Sequence, residues 1–171
     1  MAQRQQIIRP ARVSDAGDIA AVHVASWRES YRGLIPDEVL DRQSVEAREV
    51  FWRGHLDQPS RGGWVLEGEG GIVGFGDCGP NHDPLLDAQS EINSLYLLRA
   101  AQGQGDGKRL LQIMIQALRD GGYASAGLWV ARGNDKACGF YEHLGGRPAG
   151  QRVQDRRSFK LPVIAYRWDL A

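Results

Sequence analysis

The sequence predicts a mixed α/β fold: a mostly antiparallel sheet of six to seven strands flanked by about four helices. Three observations lead there. Two helix-period apolar stripes precede the first strand pair, glycine-rich turns separate short apolar runs, and two further helical segments alternate with the later strands. At 171 residues the chain suits one domain spanning residues 1–171, with enough length to bury a core without disulfide or metal staples.

Ile7 and Ile8 open with a short strand. Ser14-Asp15 reads as a helix cap, followed by Ile19, Ala20, Val22, His23 and Trp27 at helical spacing, so a first helix runs to about Tyr31. Gly33-Leu34-Ile35-Pro36 breaks it, and Ser44 caps a second helix carrying Val45, Val50, Phe51, Trp52 and Leu56. Trp64-Val65-Leu66 and Ile72-Val73-Gly74-Phe75 flank Gly68-Glu69-Gly70-Gly71, the composition of a hairpin. Pro80 to Gln89 reads as a loop before the strand Ile92 to Leu98. After Gln102-Gly103-Gln104-Gly105-Asp106-Gly107-Lys108-Arg109 comes an apolar stripe of Leu110, Leu111, Met114, Ile115 and Leu118, a helix ending near Gly121-Gly122. Leu128-Trp129-Val130 is another strand, Asn134 caps a helix through about His143, and Gly145-Gly146 stops it. Val153 closes a strand, Arg156-Arg157 makes a basic loop, and Val163 to Leu170 is the last strand.

Lys plus Arg total 21 and Asp plus Glu total 21, so no overall field favours nucleic acid or an anionic membrane, and an anionic ligand needs a local site. No apolar run approaches the roughly 18 residues of a membrane span. Cys78 and Cys138 lie far apart behind no charged-then-apolar leader, so a reducing, cytoplasmic compartment is expected. Summing Cys78, His82, Cys138 and His143 into a zinc site fails on geometry. Five helical residues turn the chain about 500°, leaving Cys138 and His143 roughly 140° apart, and no metal is expected. His23 reads as a packed core histidine.

The glycine loop is a natural anion cradle, because glycines admit close approach and a helix start offers free N–H groups. It is not a P-loop: Gln102 stands where the first glycine belongs and Arg109 replaces the magnesium-binding hydroxyl. The dinucleotide-like letters of Gly74-Phe75-Gly76-Asp77-Cys78-Gly79 are followed by Pro80-Asn81-His82-Asp83-Pro84, which cannot open the required helix. Three segments in order instead resemble the GNAT superfamily of N-acetyltransferases. They are Glu91-Ile92-x-x-Leu95-Tyr96-Leu97, Gln102-x-x-Gly105-x-Gly107, and Asn134-x-x-Ala137-x-x-Phe140-Tyr141-Glu142-x-x-Gly145. Trp27-Arg28-x-x-Tyr31-x-Gly33-Leu34-Ile35-Pro36 is similar to a stretch of many bacterial members of unassigned substrate.

The resemblance implies a sheet splayed at a coenzyme groove and direct acetyl transfer from acetyl-coenzyme A to a primary amine. Leu95, Tyr96 and Leu97 would pair with the pantetheine arm as an added strand. Gly103, Gln104, Gly105, Asp106, Gly107 and Lys108 would hold the diphosphate on backbone N–H groups, with Gln102 orienting the loop and Arg99 adding a phosphate contact. Asn134 and Ala137 would face pantetheine, although Asn134 also has a complete explanation as a helix cap. Tyr141 matches the general acid that protonates the thiolate, and a phenol stays protonated at neutral pH until needed; the alternative is an aromatic packed beside Phe140. Glu91 is the candidate general base, directly or through water, against a merely solvated strand-end carboxylate.

On the acceptor side the resemblance places Trp27, Glu29, Tyr31 and the segment from Arg156 to Pro162. Aromatic and acidic groups suit a cationic amine, the basic loop suits an acceptor with a carboxylate or phosphate, and Trp27 with Tyr31 could equally be core packing. A small-molecule acceptor, such as an amino acid or polyamine, is favoured over a protein N-terminus. A non-catalytic acyl-coenzyme-A sensor and a nucleotide-binding enzyme stand as rivals, and a homodimer would follow by analogy with the superfamily. Asp106 departs from the pattern, which has a small apolar residue there. It would compete with the diphosphate unless turned away, so Asp106→Ile is expected to tighten coenzyme binding while slightly destabilising the free protein.

Overall fold

The computed structural model describes residues 6–171. Its seven strands are β1 (Ile7–Pro10), β2 (Gly62–Gly68), β3 (Gly71–Pro80), β4 (Ser90–Leu97), β5 (Ser125–Ala131), β6 (Arg147–Arg156) and β7 (Phe159–Asp169). They form one sheet in the order β1-β2-β3-β4-β5-β7-β6. Every neighbouring pair is antiparallel except β4 and β5. That parallel pair holds register only at Ser90↔Ala126 and Glu91↔Gly127, and the two strands then part. A register shift in β4 at the same level, with Asp77 opposite Ser94 and Cys78 opposite Ile92, leaves Asn93 as the extra residue of a bulge. The added local twist of a bulge turns β4 away from β5, so the facing edges of Ile92–Leu97 and Leu128–Ala131 are not paired with each other.

Helices cover both faces. α1 (Ala16–Tyr31), α2 (Asp37–Asp41) and α3 (Val45–Leu56) precede β2, α4 (Asp106–Asp120) joins β4 to β5, and α5 (Asp135–His143) follows β5. The apolar stripe of α4 behaves as its spacing requires: Leu110, Leu111, Met114 and Leu118 are buried against Leu66, Ile92 and Leu128. On the opposite face Ile19, Ala20 and Val22 of α1 and Trp52 of α3 close over Val65 and Phe75. The glycines that mimic a dinucleotide fingerprint lie inside β3, and of them Gly76 faces α4. A Cβ on Gly76 would stand 2.9 Å from the Met114 sulfur, so no larger residue lets α4 sit this close.

Several sequence expectations shift. Asp15 does not cap α1 through its side chain; it accepts from the Arg12 N–H (2.7 Å) and from the Arg9 guanidinium (2.8 and 2.9 Å), which pulls its pKa below the usual carboxylate range. The five-residue α2 has too few residues for a periodic signal and is held from outside, by Arg28 donating to the carbonyls of Leu40, Asp41 and Gln43. On α3 only Trp52 is fully buried, while Val50 and Phe51 are 73% and 49% exposed. β3, β6 and β7 each extend beyond the expected runs, because polar and glycine residues join a ladder once a neighbouring strand supplies the hydrogen bonds. The Ser44 cap is as expected, accepting from the Ala47 N–H at 3.1 Å.

Candidate active site

Where β4 and β5 part, a groove of about 590 Å³ opens, within the range of small-molecule sites. One side is β4 from Ile92 to Leu97, the other is Leu128–Val130, and the far end is the glycine loop with Asn134 and Lys136 of α5. Gly105 is the N-cap of α4 with φ +86°, and Gly103 has φ +79°. A side chain at either would be strained, and because Gly103, Gly105, Gly107 and Lys108 line the groove, the start of a 15-residue helix, where backbone N–H groups lack helical partners, lies at its end. Gln102 fixes this loop: its Nε2 donates to the Leu97 carbonyl (3.0 Å) and its Oε1 accepts from Lys136 Nζ (2.5 Å). Lys108 and Arg99 complete a cationic rim. Lys136 escaped the sequence reading, since a lysine in the first turn of a short helix carries no signal until the loop beside it is placed.

Tyr141, on α5, is 9% exposed and wedged between Phe140 (ring centroids 5.2 Å) and Trp168 (6.0 Å) while lining the groove. Burial, then the neighbouring Tyr96 and Cys138, pushes its pKa above the ordinary phenol value, so it is a phenol and not a phenolate at neutral pH. Asn134 caps α5 by accepting from the Ala137 N–H at 3.3 Å and also lines the groove.

A second cavity of about 320 Å³ abuts the first, and Tyr31, Ile92, Asn93, Tyr96 and Trp129 line both. At their junction the Tyr31 and Tyr96 hydroxyls lie 3.1 Å apart. Glu91 borders the second cavity beside this junction, and its pKa is raised, first by burial and then by Asp83 and Asp77. That moves a carboxylate toward the range useful to a general base. The bulge of β4 is braced from behind. Asp77, 2% exposed, accepts from Ser94 Oγ and Asn93 Nδ2 (3.3 Å) and meets His55 Nε2 at 2.6 Å. Opposite Glu91, Asp83 accepts from Trp129 Nε1 (3.0 Å) and Arg152 Nη2 (2.6 Å), with the guanidinium 4.4 Å over the Trp129 ring. Asn81 holds the loop carrying Asp83, its Nδ2 reaching the carbonyls of Asp83, Leu86 and Ala88.

Three expected site residues are elsewhere. Glu29 does not border the second cavity: its carboxylate accepts from the Arg99 N–H (2.8 Å) and it lines the groove. Gln104 is exposed and off the groove. Asp106 is 4% exposed, turned under the loop onto Arg109 Nη1 (2.5 Å), whose guanidinium also reaches the Gln6 carbonyl (3.2 Å). The anticipated clash between Asp106 and a diphosphate therefore has no geometric basis, and Arg109 is not on the groove either. Trp27 and Tyr31 line the second cavity. His23 is buried and accepts from Trp52 Nε1. Cys78 is buried in β3 with its thiol pushed up to about 12. Among the described residues no three His, Cys, Asp or Glu side chains are grouped to hold a metal, and no helix is long and apolar enough to cross a membrane.

A sheet parted between two parallel strands, with a glycine-loop helix start at one end of the gap, defines an acyltransferase of the N-acetyltransferase kind. The chain belongs to the Acetyltransferase (GNAT) family, which it matches over residues 21–146. The uncharacterized N-acetyltransferase YuaI of Bacillus subtilis is 33% identical over 136 residues, 79% of this chain and 76% of the relative. Among solved structures, yncA of Salmonella typhimurium with its cofactor acetyl-CoA aligns with a TM-score of 0.73 at 19% identity, covering 98% of this chain and 95% of that one. The PaiA N-acetyltransferase of Thermoplasma acidophilum in complex with coenzyme A aligns at 0.69 and 18% identity, covering 96% and 99%. At such identities the structures share the fold.

Proposed function

We propose that residues 1–171 act as one domain that moves an acetyl group from acetyl-coenzyme A directly to a primary amine of a small molecule. The observation that carries this is the junction of two cavities. A neutral buried phenol, Tyr141, lies on the groove side and a carboxylate of raised pKa, Glu91, on the other. The groove fits the donor by its chemistry. The unpaired edge of β4 accepts a pantetheine arm as an extra strand, and the helix start with Lys108, Lys136 and Arg99 accepts its phosphates. Acetyl-CoA, as substrate, supplies the thioester. Glu91 takes a proton from the acceptor ammonium, directly or through water, so that the nitrogen can attack. As the C–N bond forms and the C–S bond breaks, Tyr141 donates its proton to the leaving sulfur, and the second proton shed by the new amide nitrogen restores the phenol through solvent. Asn93, held by Asp77, keeps the bulged backbone of β4 at the point where donor and acceptor meet.

Thiol release and coenzyme calorimetry with Tyr141→Phe test the reading. Loss of the general acid lowers kcat by about 10²-fold or more with the coenzyme Kd within about twofold, since the ring and its packing remain. Full turnover by the variant removes Tyr141 from the chemistry. Tight coenzyme binding by the unmodified protein with no thiol released from any amine would make the chain a sensor instead of an enzyme.

A further inference from the structure

The second cavity is dipolar, and we infer that its acceptor is a primary amine whose other end bears a carboxylate or comparable oxyanion, which Arg156 receives while Glu91 faces the amine; this rests on the acetyltransferase reading above. Four charged groups line the cavity: Asp83, Glu91, Arg152 and Arg156. Asp83 and Arg152 pair at 2.6 and 3.3 Å, and the Leu85 N–H and Trp129 indole also donate to the carboxylate, so the two charges are directed at each other, with Arg152 Nε alone left without a partner. Glu91 and Arg156 are left, and neither has an ion-pair partner among the described residues. Arg156 donates only to the neutral Gln154 Oε1, at 2.9 Å.

The surroundings strengthen both ends. Near Arg156 stands a second uncompensated cation, Arg48 of α3, lying 5.3 Å over the Trp27 ring and donating to the neutral Gln43 Oε1. Burial lowers the Arg48 pKa, against a raising effect of Tyr96, and Arg156 lowers it further, so Arg48 adds positive field behind the Arg156 end without lining the cavity. At Glu91 the carboxylates of Asp83 and Asp77 outweigh the opposing guanidiniums of Arg61 and Arg152, so the local field is negative. An ammonium is therefore drawn to the end at the strand junction and an oxyanion to the end at the β6 tip. A polyamine would place its second cation against Arg156 and Arg48, where nothing compensates it. At about 320 Å³ the cavity is at the small end of ligand sites, which suits a compact dipolar molecule.

Thiol release from acetyl-CoA is measured with matched primary amines: amino acids, ω-amino acids and phosphonate-bearing amines, each against its amide or ester, with spermidine alongside. The acid exceeds its neutral counterpart by about tenfold or more in kcat/KM. Arg156→Met raises KM for the acids about tenfold while leaving kcat, and both constants for neutral amines, within about twofold; Arg156→Lys restores part of the preference. Preference for neutral or polycationic amines, or an Arg156→Met enzyme with unchanged KM for the acids, overturns the oxyanion end and leaves the acetyltransferase reading standing. Failure of every amine to release thiol overturns that reading and this inference together.

Discussion

His23 ties the packing behind the second cavity to pH. The residue is 7% exposed in α1, with its ring 5.5 Å from Tyr96 and nearly parallel to it, 5.7 Å from Trp27 and 5.9 Å from Trp52. Its Nδ1 accepts the Trp52 indole N–H at 3.1 Å. Burial, and then the Arg48 cation, pulls its pKa from 6.5 down to about 3. The unfolded chain therefore takes up the proton before the folded one does. The stability associated with neutral His23 is complete above pH 6.5 and is lost as pH falls from 6.5 toward 3. One pKa unit corresponds to about 1.4 kcal/mol, so between pH 7 and pH 5, where only the unfolded state titrates, the loss is about 2 kcal/mol. In a chain of 171 residues that is a fall in Tm of roughly 4 to 8 °C. Urea and thermal unfolding at pH 7 and pH 5 measure it against His23→Gln, whose amide oxygen can still accept from Trp52 but does not titrate. The carboxylates contribute equally to both proteins, so the extra pH sensitivity of the unmodified chain isolates His23. Equal losses in the two proteins would refute the reasoning.

Two other outcomes follow from the site. Glu91→Gln lowers kcat/KM by about 10²-fold and abolishes the acid limb of its pH profile, which in the unmodified enzyme falls as Glu91 protonates at its raised pKa; an unaltered profile with full turnover would remove Glu91 from the mechanism. Asp106→Ala, which strands Arg109 and deletes a first-turn anion of α4, destabilises the fold by about 1–3 kcal/mol in urea unfolding. Because Asp106 is turned under the loop, the same variant changes coenzyme affinity by less than about threefold, and markedly tighter binding by calorimetry would show that the carboxylate does reach the groove.

Features decided within one segment were readable in the chain. The α4 stripe, the Ser44 and Asn134 caps, and the glycines that turn the loop at Gly103 and Gly105 depend on residues three or four apart, and each is where its chemistry placed it. The family resemblance of three segments in order set Tyr141 and Gln102 at one groove, and both line it. The α2 turn was not readable, since its existence rests on Arg28 from another helix. Nor was the face chosen by Glu29, where any exposed helix position looks alike until Arg99 offers its N–H.

The charges show the same division. In sequence Asp106 is an anion next to a phosphate cradle; in the fold it is a buried partner of Arg109 one turn further along α4 and does not line the groove. Arg152 and Arg156 look equivalent along the chain. Only the approach of Asp83 from a loop 69 residues away neutralises the first and leaves the second free. Periodicity, caps and turn residues act over a few bonds and so are written locally. Whether a charge is spent inside the protein or kept for a ligand depends on which distant strand lies beside it, and the packing of the whole sheet settles that.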